Sequence, residues 1–206
     1  MRGFQRVVVV MAVALVAASA MVTAASAGST SMTTANVKSA GISLKFPSTW
    51  TVVTLTKKGL AAAEKAESKT NPQVAAELSK VDLSQFKFYA IDRVEVAGVY
   101  SNVNVGLAGG AHGVTLAFFR DQQASQYKAE GSTLVDAKAV KVSGKNAFRS
   151  DATVPVTNSD GTITDWSQTQ LAIPGATSTT WIEVSSTNDA PGMALIDSVI
   201  ASVHHI

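Results

Sequence analysis

The sequence contains no cysteine. That absence removes disulfides, thiol nucleophiles, cysteine-ligated zinc and the acylated cysteine of a lipoprotein. Histidine is also scarce, with only His112, His204 and His205 available as imidazole bases or ligands. Charge of either sign is lacking as a net quantity: 17 Lys and Arg face 15 Asp and Glu, and Arg2 and Arg6 account for the difference. No basic stripe interleaved with aromatics runs along the chain, so the electrostatic footprint of a nucleic-acid binder is missing. There is no Gly-x-Ser-x-Gly elbow and no Gly-x-x-x-x-Gly-Lys-Ser/Thr phosphate loop. Neither an internal repeat nor a linker rich enough to divide the chain is present.

The N-terminus is informative. Arg2 and Arg6 form a short positive region, residues 7–16 form an apolar core, and Ala25-Ser26-Ala27 follows among small residues. This is the order of a secretory signal peptide, with cleavage expected between Ala27 and Gly28 and Ala20 as the weaker choice. The competing reading is an uncleaved anchor. A spanning helix needs about 20 strongly apolar residues, and after Val16 this run dilutes into Ala, Ser and Thr. Gly28 stands where a lipoprotein needs cysteine, so no lipid anchor follows by that route and cleavage leaves no stable membrane anchor. The expected organisation is a leader over 1–27, a flexible polar segment over 28–36 and one domain over 37–206, which suits a single core.

Periodicity gives the elements of that domain. Ile42, Leu44 and Phe46 alternate with Ser43 and Lys45, a half-buried strand ended at Pro47. Residues 50–55 read as a second strand. Residues 60–69 favour helix, Asn71-Pro72 interrupts it, and a short helix follows over 73–81. Strands are expected at 86–91 and 102–107. A helix over 115–130 carries Leu116, Phe119, Gln123 and Tyr127 on one stripe and stops at Gly131. Strands over 134–142, 147–156, 163–173 and 179–186 are joined through Gly144-Lys145, Asp160-Gly161 and Pro174-Gly175. A last helix, capped by Asn188 or Asp189, places Ile196, Val199, Ile200 and Val203 on one apolar face. The fold class is α+β, an α/β/α sandwich with a mostly antiparallel sheet and a C-terminal amphipathic helix packed on it.

That order resembles the PsbP-like fold, shared by a photosystem accessory protein, a Ran-binding protein and many bacterial envelope proteins. Within it the chain is most similar to the actinobacterial LpqN/LpqT type of exported proteins. The resemblance is carried by residues 41–50 (Gly-Ile-Ser-Leu-Lys-Phe-Pro-Ser-Thr-Trp), 102–105 (Asn-Val-Asn-Val), 144–147, 166–173 and 179–203. It implies partner binding more often than catalysis, although fold alone does not fix activity.

Candidate functional residues are few. The loop over 108–113, with Gly109, Gly110 and His112, is the expected mobile binding loop, against the competing reading of a plain connector. His204-His205 reads as a solvated tail. Asp92-Arg93 and Arg120-Asp121 read as exposed pairs of little energetic weight. Trp50, Trp166 and Trp181 read as core, with a sugar- or peptide-binding platform as the alternative. No catalytic, metal or cofactor site can be assigned.

Three functions remain open. The first is an exported envelope or extracellular protein, not an enzyme, that binds an envelope protein partner. The second is a carrier of a small apolar ligand, a lipid or glycolipid, using Phe118, Phe119, Ile163 and Ile173. The third is a hydrolase whose Ser, His and carboxylate converge only in the fold. The leader makes one prediction: exported material begins at Gly28 by N-terminal sequencing, whereas an intact Met1 supports the anchor.

Overall fold

The computed structural model describes residues 31–206 apart from 71, 73–74, 76–77, 80–85, 97–98, 110–114 and 158–160. The leader therefore lies outside the described residues, as do Gly110, His112 and most of the short helix expected over 73–81. Among the described residues, no helix is long and apolar enough to cross a membrane.

The elements are β1 (Met32–Val37), a single 3-10 turn (Lys38–Ala40), β2 (Ile42–Pro47), β3 (Thr51–Val52), α1 (Lys57–Thr70), β4 (Phe86–Val96), β5 (Val99–Gly109), α2 (Leu116–Ala129), β6 (Thr133–Val142), β7 (Lys145–Thr157), β8 (Ile163–Pro174), β9 (Ser178–Thr187), α3 (Ala190–Ala201) and β10 (His204–His205). A seven-stranded sheet has the order β3-β4-β5-β9-β8-β7-β6, and a three-stranded sheet has the order β1-β2-β10. Every pairing is antiparallel. The fold is α+β, as the periodicity implies.

Local chemistry explains the joins. The β6–β7 hairpin turns through Ser143 and Gly144, both at positive φ (48° and 80°), the backbone that Gly tolerates and that matches strand twist. Thr115 caps α2 by accepting from Phe118 N at 3.2 Å. Asp189 caps α3 by accepting from Gly192 N at 2.8 Å. Gly192 is needed for packing, since a Cβ there would stand 2.2 Å from the Thr187 carbonyl oxygen.

One face of the large sheet carries the main core. Val103, Val105, Leu171, Ile173, Ile182 and Val184 pack under Ile42, Leu44 and Phe46 of β2 and under Ile196, Val199 and Val203. The layer over this face is thus a small sheet together with α3, not helices alone. Polar groups pin its margin. Arg149 Nη2 reaches Asp197 of α3 at 2.7 Å and Asp151 at 2.8 Å, and Thr169 Oγ1 donates to Asp151 at 2.6 Å. The opposite face is covered by α1 and α2. Leu60 and Ala63 pack with Tyr89, Ile91 and Tyr100, while Phe119 packs with Phe148 and Ala172.

Several expectations are corrected. Residues 32–36 of the expected flexible segment fall in β1, which runs on to Val37 and pairs with β2 from Met32↔Pro47 to Val37↔Ile42. β2 buries alternate residues and leaves free backbone donors and acceptors on that side, which a polar segment can satisfy through backbone bonds alone. The dihistidine is not a free tail: His204 pairs with Ser43 and His205 with Ile42 on the other edge of β2. The strand expected over 50–55 shortens to Thr51–Val52. Asp92-Arg93 is not a bland exposed pair. Arg93 Nη2 lies 3.3 Å from the buried Glu67 carboxylate, and burial raises the Asp92 pKa although Arg93 N, Val94 N and Trp50 donate to it. Arg120 and Asp121 are exposed, 4.0 Å apart.

The packing of α3 yields a prediction. Ile196→Ala, at a position 2% exposed, should lower unfolding stability by about 2–4 kcal/mol through lost burial and a residual cavity. Chemical denaturation reads the change, and an unaltered midpoint would mean α3 does not seal the core.

Candidate functional site

Period-two alternation on the central strands sends Val103, Val105, Ile182 and Val184 to the α3 face and polar neighbours to the other. Register then aligns those neighbours across five strands. Tyr89 stands opposite Asn104, Asn104 opposite Glu183, Glu183 opposite Gln170, and Gln170 opposite Ser150. One pleat further along, Asn102, Ser185, Gln168 and Ala152 form a parallel row. In the other direction the row turns apolar, with Gly106, Trp181, Ala172 and Phe148.

α1 and α2 stand on this face with the two polar rows between them. Asn102, Asn104, Glu183, Ser185 and Trp181 are half-buried although β5 and β9 lie in the middle of the sheet. Gln168 and Gln170, on the neighbouring strand, are 4% and 1% exposed. Solvent therefore reaches the centre of the sheet along a polar trough whose α2 side is closed. Aromatic rings close one end. Phe119 of α2 stacks on Phe148 with centroids 5.4 Å apart and on Trp181 at 6.0 Å.

Glu183 is the centre of the trough. Asn104 Nδ2 donates to its Oε1 at 3.2 Å and Gln170 Nε2 to its Oε2 at 2.9 Å. Desolvation raises the Glu183 pKa above the ordinary carboxylate value, against the amides of Asn104, Gln170 and Gln168, with nearby Glu130 pushing the same way. Above it, the Gln123 carbonyl oxygen accepts from Ser150 Oγ at 3.2 Å. Burial also holds the Tyr127 hydroxyl well above its usual pKa, with Glu183 the second cause.

This layer leaves polar atoms unanswered. Gln123 Nε2, Tyr127 OH, Gln168 Oε1, Gln170 Oε1 and Glu130 Oε2 are buried without a hydrogen-bond partner, as are Trp166 Nε1 and Trp181 Nε1. Buried polar groups are ordinarily paired, so a concentration of exceptions on one face singles it out as the candidate site.

The residues singled out from sequence fall elsewhere or only partly here. Gly109 ends β5, paired with Ser178 on the way to α2, while Gly110 and His112 lie outside the described residues. Trp50 and Trp166 are buried, and Trp181 alone of the three lies at the trough. Phe119 and Ile173 pack on opposite faces of the sheet, and Phe118 and Ile163 are exposed, so these four do not gather. Among the described residues no three His, Asp or Glu gather as a metal site. The trough itself was missed, because polar residues alternating along a strand read as its solvent side. Its available signal was Gln123 on the apolar stripe of α2.

No family model matches the sequence, and no curated protein matches it. Solved structures do. Cyanobacterial PsbP from Synechocystis sp. PCC 6803 is 14% identical with a TM-score of 0.53, the match covering 90% of this chain and 99% of that one. LpqN of Mycobacterium tuberculosis, involved in cell envelope biogenesis, is 11% identical over 86% of each chain with a TM-score of 0.48. The Ran-binding protein Mog1p of Saccharomyces cerevisiae is 12% identical over 86% of this chain and 96% of that one, at 0.47. The class these findings define is an α+β sandwich with an antiparallel central sheet. More narrowly, the chain has the PsbP-like fold.

The raised Glu183 pKa carries a sign. The folded state holds this proton more tightly than the unfolded chain, so Glu183 favours folding least when ionised. Its contribution worsens as pH rises from the unfolded carboxylate value through the raised folded one. Glu183→Gln should therefore be more stable than the native chain at pH 7, and the gap should close toward pH 4. Thermal melts across that range test it; a variant equally destabilised at every pH would contradict the reading.

Proposed function

We propose that this chain is an exported, non-catalytic binding or accessory protein of the cell envelope or extracellular space, and that its ligand or partner enters the trough between α1 and α2. The observation that carries the reading is the pair of polar rows at the centre of a sheet face, partly open to solvent and edged by unsatisfied buried atoms. A sheet whose centre had only to be covered would be apolar there, as its other face is. Export is supported by the leader sequence, and Gly28 after it offers no thiol for acylation.

The chemistry of the trough favours holding over turnover. Asn104 and Gln170 hold Glu183 through their amides, and among the described residues no histidine is placed against it. Amides and a carboxylate on rigid strands orient a polar group, as binding sites require. They supply no nucleophile paired to a base.

Amide NMR of the leader-free protein, titrated with a panel of small polar metabolites and peptides, tests the placement. Shifts should cluster at Asn102, Asn104, Gln168, Gln170, Trp181 and Glu183. Binding that instead maps to the α3 face, or no binding by any member, removes the trough from consideration.

A further inference from the structure

Glu183 and Glu130 bring two carboxylates to the trough, and neither has a Lys, Arg or His partner among the described residues. The contrast within the same molecule is instructive. Glu67, with its side chain 4% exposed, is paired with Arg93 at 3.3 Å and receives the Thr51 hydroxyl at 2.9 Å. Among the described residues Glu183 faces neutral amides alone, receiving those of Asn104 and Gln170 with Gln168 beside them. Among the described residues the floor beside it offers acceptors that receive nothing, Gln168 Oε1 and Gln170 Oε1, and so does Glu130 Oε2 at the α2 rim, while the unpaired donors Gln123 Nε2, Tyr127 OH and Trp181 Nε1 belong to α2 and to the ring that stacks on it. A desolvated carboxylate with idle acceptors beside it is costly in its ionised form unless something cationic completes it.

We propose that the trough binds an organic cation through an ammonium or guanidinium head group, with Glu183 as its counter-ion and Trp181 as its aromatic wall. The inference rests on the reading of the trough as the binding site and names the ligand that site takes. A cationic head group donates in several directions at once, which suits the Glu183 oxygens and the neighbouring amide carbonyls. The two polar rows are one pleat apart, roughly 7 Å along the strand, which is room for a head group and not for a folded segment. Trp181, two residues from Glu183 on the same face and half-buried, offers its ring to the adjoining part of the ligand. Such a group could arrive as a free small amine or as a Lys or Arg side chain on a polypeptide.

The test uses the leader-free protein and defined probes. Benzylamine and phenylguanidine are cationic at pH 7, benzyl alcohol is their neutral counterpart, and Gly-Arg-Gly carries the same charge on a peptide. The cations should move the amide signals of Asn104, Gln170 and Glu183, while benzyl alcohol leaves them in place. Glu183→Gln should weaken cation binding about tenfold or more, with cooperative thermal unfolding confirming that the variant is folded. Asn104→Ala, at a half-buried position, should cost about two- to fivefold by releasing one amide that orients the carboxylate. Stronger binding of Gly-Arg-Gly than of the free cations would assign the site to a partner's side chain, and the reverse to a free amine. Equal binding of benzyl alcohol, or unchanged affinity in Glu183→Gln, overturns the cation while leaving the trough a binding site. Silence from every probe at the trough signals, charged or neutral, overturns both.

Discussion

Covering both faces of one sheet obliges its strands either to be apolar on both sides or to satisfy whatever polar groups they hide. This protein meets the two halves of that obligation differently. Toward β2 and α3 the central strands present Val, Leu and Ile, and the contact is apolar. Toward α1 and α2 the same strands present Asn, Glu, Gln and Ser in register across four strands, with Tyr89 on a fifth. Everything distinctive about the candidate site follows from the second choice. The helices cannot close over a polar row as tightly as over an apolar one, so the centre of the sheet keeps a path to water.

The two covers also differ in how they are fastened. The β2 and α3 layer is fastened at several independent points: a capped helix, a short strand after it and the Arg149–Asp197 pair. Such redundancy keeps the sheet rigid while its other side carries groups that weaken the fold. Sites are more precise on strands than on loops, because each side chain's direction is set by the pleat and by its neighbours. Glu183 gains its orientation in this way, from Asn104 on one side and Gln170 on the other.

Much of the fold was legible because its signals are local. The four apolar positions from Ile196 to Val203 announce a packed helix, and Gly144 and Pro174-Gly175 mark hairpins through backbone requirements that few other residues meet. β1 and β10 were illegible for the opposite reason. Neither carries an apolar pattern of its own, and both exist because β2 offers backbone partners on each side. The trough is harder still. Asn104 and Glu183 are 79 residues apart, and nothing in either neighbourhood says that the polar side of the strand lies under a helix. Only Gln123, within an otherwise apolar stripe, disagreed with its surroundings, and local disagreement of that kind is where functional constraint is expected.

The position of β2 between β1 and β10 has a consequence for the order of assembly. β1 and β2 are nearly adjacent in sequence, so they can form a hairpin as soon as both have been synthesised. Their partner β10 comes from the far side of the domain in sequence, pairing His204 with Ser43, and Ile206 N donates to the Gly41 carbonyl at 3.1 Å. An early-formed edge must therefore wait for a contact that closes a loop of nearly the entire domain, a slow step by topology alone. Until that contact forms, Ile42, Leu44 and Phe46 lack the α3 cover that shields them. A domain built in this way stays loosely held until β10 docks, because the cover of its core is completed by the pairing most distant in sequence.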